Sequence, residues 1–246
     1  MTSSSGVPAP RPAATVLLLR PDANSGFSVF MVQRSMKSSF MPGAHVFPGG
    51  RVEEQDREQG REVPLSDGEV MERFRGWLDA DCARAHLVAA ARELEEEAGV
   101  TGVDLTATFG FSHWITPPIE SRRFDTWFLV TTLPEGAAPQ HDDYEVIDSR
   151  WVNPKAALER YGDGDLLLAP PTYYTLWDLA RFDTVEEVLS DSARRPLPSV
   201  QPRFQSIDEQ MALLLPGDPL YPSEQPVDGP TRVVMGDSGR WWVVSA

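Results

Sequence analysis

Glu93, Glu96 and Glu97 stand at spacings i, i+3 and i+4 in the run Ala-Ala-Arg-Glu-Leu-Glu-Glu-Glu-Ala-Gly-Val at residues 90–100. In a helix this spacing gathers three carboxylates on one face. Like charges placed so closely repel. A hard divalent cation such as Mg²⁺ prefers carboxylate and water oxygens and would remove the conflict. Arg92 is four residues before Glu96 and can orient the cluster from its flank. The chemistry such a site suits is the cutting of a pyrophosphate, where a bound cation neutralises phosphate oxygens and acidifies a water. The same charge run would also suit a solvated acidic helix face.

The element that must carry these residues is a helix. Ala, Leu, Arg and Glu are strong helix formers, and neither Pro nor a β-branched residue interrupts residues 89–98. Gly99 sits where a left-handed C-terminal cap is needed. Leu87, Ala91, Leu94 and Ala98 share the opposite, apolar face and should pack on a core. Upstream, His45-Val46-Phe47-Pro48-Gly49-Gly50-Arg51-Val52-Glu53 reads as a strand end meeting a Pro-Gly-Gly turn. Glycines there let the backbone approach a ligand closely.

Joined, the two stretches resemble the box of the Nudix family, Gly-x5-Glu-x7-Arg-Glu-U-x-Glu-Glu-x-Gly-U, with U a bulky aliphatic residue. Gly50 takes the first position, and residues 92–100 fill the second half without a mismatch. Asp56 stands where the family has its first Glu. Residues 57–91, 35 in all, stand where the family has seven, so 28 are inserted. The resemblance implies an α/β fold, an α/β/α sandwich around a mixed sheet, with a helical insertion at about residues 57–84. It implies that the Gly49 carbonyl, Glu93, Glu96 and Glu97 hold Mg²⁺ or Mn²⁺, that Arg92 positions Glu93 or its neighbours, and that Asp56 pairs with Arg92. The family draws its general base either from the box helix or from a later loop; Glu145 is the loop candidate, with Glu120, Asp142 and Asp143 competing.

A second stretch is similar to the coenzyme A diphosphatase pattern within that family, Arg-Ser-x3-Arg-x3-Gly-x3-Phe-Pro-Gly-Gly. Arg34, Ser35, Gly43, Phe47, Pro48, Gly49 and Gly50 match in register, while Ser39 replaces the second Arg. The long insert and Arg123-Phe124-Asp125-Thr126 look like the peroxisomal acyl-coenzyme A branch. The expected reaction is hydrolysis of coenzyme A or its thioesters. The alternatives are the same chemistry on NADH, ADP-ribose or another nucleoside diphosphate derivative, and a non-catalytic module that senses a nucleotide. Arg34 and Phe47 are expected at the substrate. Arg122 and Arg123 would bind phosphate there or belong to a solvated face. His45 and His113 are expected as packing residues, because no second His stands at metal-ligand spacing.

The formal net charge of −15 excludes nucleic acid and anionic membranes as expected partners. It would also repel a pyrophosphate, which makes a bridging cation and local arginines more necessary. Cys82 stands alone, which excludes an internal disulfide. No apolar run is long enough to span a bilayer. Residues 1–12 are rich in Ser, Pro and Ala and are expected to be disordered rather than a signal peptide. A cytoplasmic protein acting on a small nucleoside diphosphate is the expectation, and a homodimer is left open.

Residues 13–165 are expected to form the catalytic domain and residues 166–246 an extension packed on it. Strands are predicted at 14–20, 27–33, 44–47, 104–112, 122–132 and 147–152. Residues 55–68 read as a charged loop. Ser66 or Asp67 would cap a helix to about Leu78, with Val70, Phe74, Trp77 and Leu78 on one face. Residues 113–118 read as a loop, 154–161, 173–180 and 184–189 as helices, 194–202 as a Pro-rich linker, and 231–235 with 241–244 as a hairpin. Trp241 and Trp242 are expected to pack rather than bind.

Overall fold

The computed structural model describes residues 7–37, 41–139, 146–221 and 232–244. Its organising strand is β1 (Arg11–Asp22). Ala14, Val16 and Leu18 enter one core and Leu17 and Leu19 the other, which is why the strand reads as a nearly unbroken apolar run. One edge of β1 runs parallel to β6 (Phe124–Thr132) from Arg11↔Phe124 to Leu19↔Thr132. The other edge is shared. Its C-terminal part pairs antiparallel with β2 (Gly26–Arg34), and its N-terminal part pairs with the short β4 (Gly49–Arg51). The sheet continues through β3 (His45–Val46) and β7 (Val146–Val152) beside β2, and through β5 (Phe109–Ile115) and β8 (Ser199–Val200) beyond β6. Parallel and antiparallel pairs make it a mixed sheet, as expected for this α/β class.

Helices cover both faces. On one, α1 (Glu54–Gly60), α2 (Asp67–Arg73) and the long α3 (Ala80–Ala98) lie over Ala14, Val16, Trp127 and Leu129. On the other, α4 (Pro154–Asp163), α5 (Pro170–Leu179) and α6 (Val185–Ser192) close over Leu17, Phe27, Phe111 and Val130. A second sheet, β9 (Arg203–Ile207), β10 (Gln210–Leu214), β11 (Arg232–Met235) and β12 (Trp241–Val244), sends Leu213 and Val233 into that same core. No helix among the described residues is long and apolar enough to cross a membrane.

Several local expectations change. The insert is more ordered than a charged loop: α1 begins at Glu54, where Glu53 and Asp56 form a reciprocal capping box. α3 starts at Ala80, capped by Asp79 accepting from the Cys82 amide at 2.7 Å, so the end of the insert is the first part of the helix that carries Arg92 and the three glutamates. α2 ends at Arg73; Phe74 is buried but Trp77 is 53% exposed, because Arg75 and Gly76 turn left-handed and break the helical face. His113, Trp114 and Ile115 belong to β5, where a register shift at Gly110/Ser112 lets the strand run on past its sequence-predicted end. The hairpin β9–β10 was not anticipated. Its turn residues Asp208 and Glu209 both take positive φ, a geometry for which the sequence offers no glycine as a signal.

Candidate active site

The Pro-Gly-Gly turn is held inside the sheet. The Val16 amide donates to the Pro48 carbonyl at 2.8 Å, and β4 pairs Gly49 with Thr15 and Gly50 with Ala14. A Cβ on Gly49 would lie 2.5 Å from the Ala14 carbonyl oxygen, and one on Gly50 would lie 2.2 Å from the Glu93 carboxylate. The two glycines therefore let β4 press against β1 below and α3 above. Gly99, at φ 63°, ends α3 immediately past the carboxylates.

Arg92 is the centre of the site. Its Nε and Nη2 donate to the two oxygens of Asp56 at 2.9 and 3.1 Å. Nη1 donates to Glu93 at 2.8 Å and to Glu96 at 2.9 Å, and Nη2 also reaches the Arg51 carbonyl at 2.9 Å. The pairing of Asp56 with Arg92 is thus present, although the two are 36 residues apart. Asp56 is fully buried and also accepts from the Glu53 amide, so it is acceptor for three donors. Its hydrogen bonds to Arg92, with the neighbouring carboxylates, hold the guanidinium protonated far above any working pH. Glu93 is 8% exposed, and burial raises its carboxyl above the usual range while Arg92 pulls the other way. Glu97 accepts from the Gly49 amide at 3.1 Å, tying the helix to the glycine turn.

One guanidinium thus stands among Asp56, Glu93, Glu96 and Glu97, and the acids outnumber it. Oxygen donors of this kind, with an excess of negative charge and a desolvated carboxylate, fit a hard divalent cation. Among the described residues no three His, Cys, Asp or Glu side chains are gathered closely enough to hold one by themselves. Glu93 and Glu96 are turned onto Arg92, so a bound cation would share them with the arginine and draw further oxygens from backbone or water.

The other anticipated residues have contacts and exposures of their own. Phe47 is buried in the core, edge-on to Phe128 at 6.5 Å between centroids, so its ring supports the glycine turn from below. Arg34 ends β2, its amide donating to Ala44 and its carbonyl accepting from Gly43. Arg122 is exposed in the turn before β6. Arg123 is buried and donates to the Thr116 and Pro8 carbonyls at 3.0 and 2.8 Å, clamping the start of the chain beside β6. Glu120 is exposed in the same turn as Arg122. Glu145, Asp142, Asp143 and Ser39 lie outside the described residues. His45 is buried, and burial first, then Arg150, pushes its pKa down to about 4, which suits a neutral packing residue. His113 pairs with Asp125 at 2.5 Å and stacks on Trp127 with centroids 4.2 Å apart. That pair, a buried His113 with a partly exposed Asp125, escaped sequence reasoning, because strands β5 and β6 had to be aligned before the two residues could be seen together.

Comparison with known proteins bears on the family and the fold. The NUDIX domain model matches residues 9–169. The chain is 25% identical over 287 residues to acyl-coenzyme A diphosphatase NUDT19 of Xenopus laevis, covering 86% of this chain and 76% of that protein. It is 26% identical over 290 residues to the Homo sapiens protein of that name, with the same coverage. Against the Gallus gallus protein it is 26% identical over 316 residues, covering 92% and 83%. The crystal structure of a NUDIX hydrolase from Alicyclobacillus acidocaldarius superposes with a TM-score of 0.63 at 23% identity, covering 76% of this chain and 99% of that one.

Proposed function

We propose that this chain, which belongs to the Nudix family and is a Nudix hydrolase, cleaves the pyrophosphate bond of coenzyme A or an acyl-coenzyme A with the help of Mg²⁺ or Mn²⁺. The products are 3′-phosphoadenosine 5′-phosphate and (acyl-)4′-phosphopantetheine. The observation that carries the chemistry is the acid-rich cluster around Arg92 on α3, facing the glycine turn of β4. The substrate class rests on the likeness to the NUDT19 relatives and on the match of Arg34, Ser35, Gly43 and residues 47–50 to the coenzyme A pattern.

The division of labour follows from the contacts. Glu93, Glu96, Glu97 and the Gly49 carbonyl would hold the cation, which when bound supplies charge neutralisation at the pyrophosphate and a more acidic water. Arg92, fixed by Asp56, keeps Glu93 and Glu96 at defined positions and limits their mutual repulsion. Glu93, the buried carboxylate of the cluster beside Arg92, is the candidate base on α3. Glu145 remains the loop alternative as base. Glu97, anchored on the Gly49 amide, keeps helix and turn in register. Arg34, at the end of β2, is the candidate cation for the 3′-phosphate.

The deciding experiment is kcat/KM with Mg²⁺ or Mn²⁺ for coenzyme A, an acyl-coenzyme A, NADH and ADP-ribose. The expected result is a preference for the coenzyme A compounds of at least about tenfold, or roughly 1.4 kcal/mol of transition-state binding. Chelation should abolish turnover and restored cation should recover it. A tenfold preference for NADH or ADP-ribose overturns the substrate assignment.

A further inference from the structure

Between α1 and α3, beside the carboxylate cluster, lies a groove of about 530 Å³, within the usual size of a small-molecule site. Arg92 and Glu96 belong to both, so the groove adjoins the carboxylate cluster through these two residues. Its floor is apolar, with Val88, Ala91, Val100 and Val103, and the amide side chains of Gln55 and Gln59 stand exposed along its α1 rim. Its charges are Glu62, Glu95 and Glu96, against Arg92, which already binds Asp56, Glu93 and Glu96. The insertion builds much of this wall, since the second half of α1, with Gln59, and residues 62–64 lie within it.

A diphosphate of coenzyme A has two unlike arms. The adenosine arm carries a 3′-phosphate, and an acidic groove with no spare cation repels it. The other arm is long and uncharged, carries two amides, and ends in a thioester with an aliphatic chain. It matches apolar walls rimmed by two glutamines. We infer that the groove between α1 and α3 receives the acylated pantetheine arm, making the insertion the part of the chain that selects acyl-coenzyme A by its chain. The inference rests on the coenzyme A reading above and assigns one of that substrate's arms to a place.

Two groove-filling variants test it in the full chain. Ala91→Phe fills the floor from α3, and Gln59→Trp fills it from the exposed rim of α1, where folding is least at risk. kcat/KM is measured for free, acetyl-, hexanoyl- and dodecanoyl-coenzyme A, together with the inhibition constant of 3′-phosphoadenosine 5′-phosphate, which lacks the arm. Wild type should gain with chain length by up to about fourfold per methylene buried. Each variant should lower the dodecanoyl-to-free ratio at least about tenfold while leaving the nucleotide's inhibition constant within about twofold. An unchanged ratio in Gln59→Trp, with coenzyme A still cleaved, overturns the groove and leaves the substrate reading standing. Equal losses for every substrate together with weakened nucleotide inhibition also overturn it, as a structural effect. A wild-type protein that cleaves no coenzyme A compound sinks both readings.

Discussion

Two buried arginines, one on each face of the central sheet, keep different company. Arg195, on the α5–α6 side, donates to Asp178 at 2.6 Å, stands 2.6 Å from Asp191, and stacks over Phe111 at 4.5 Å. Arg181 holds Asp178 from the other side at 2.9 Å. Two cations meet two carboxylates there, and although burial opposes the charge of Arg195, the aspartates more than offset it and raise its pKa. Among the described residues, Arg92, on the α3 side, meets three carboxylates, Asp56, Glu93 and Glu96, with Glu97 beyond them; Asp56 and Glu93 are buried, and burial raises the pKa of Glu93. A balanced buried network ties elements together and has no charge left over. An unbalanced one is held in place by the surrounding packing and has affinity to spend on a cation. Counting charges around each arginine distinguishes a joint of the fold from the candidate site.

Breaking the balanced network should be the larger effect on stability. Asp178→Ala leaves Arg195 buried without its main partner and should cost about 3–5 kcal/mol in urea unfolding, with the kcat of the folded fraction unchanged. A cost below about 1 kcal/mol would erase the distinction between the two networks. On the other face, Glu97→Gln keeps an acceptor for the Gly49 amide and should unfold like wild type, yet lose at least about 100-fold in kcat. That is roughly 2.7 kcal/mol of transition-state stabilisation, and wild-type turnover at saturating Mg²⁺ would show that the acid excess has no catalytic use.

Glu93→Gln gives the smallest and sharpest contrast, in pH dependence. Burial raises the folded pKa of Glu93 above its ordinary 4.5. Its contribution to stability is therefore complete below the unfolded value and is lost as pH rises through the folded one. Cation-free Glu93→Gln should match wild type under acid conditions and become the more stable protein as the pH rises to neutrality. Mn²⁺ should narrow that gap by stabilising the wild type alone. Thermal unfolding across pH, with and without cation, measures both; a gap that widens toward acid would contradict the burial account.

Much of the candidate site was legible because its residues are close in sequence. Arg92, Glu93, Glu96 and Glu97 share one helix whose spacing fixes their face, and the cap at Gly99 follows from residue type alone. Phe47 and Arg123 show the limit. An aromatic and a cation near a glycine turn and a strand start look like substrate contacts, but the first fills the core and the second binds two backbone carbonyls. Neither outcome follows from residue type, because it depends on which surface the rest of the chain covers.

The sequence by itself determined the chemistry on offer: helix periodicity, a glycine turn and an excess of clustered carboxylates are local properties, set by backbone sterics and charge. It also determined the apolar strands that make a two-faced sheet. Only the tertiary structure decided that Asp56, whose pairing with Arg92 the family resemblance implies, would be wholly buried there, that α1 would flank α3 to leave a groove, and that His113 would meet Asp125. Those meetings join residues far apart along the chain or on separate strands. They are fixed by the packing of whole faces, through strand register and helix docking, and such packing has no signature in the spacing of neighbouring residues.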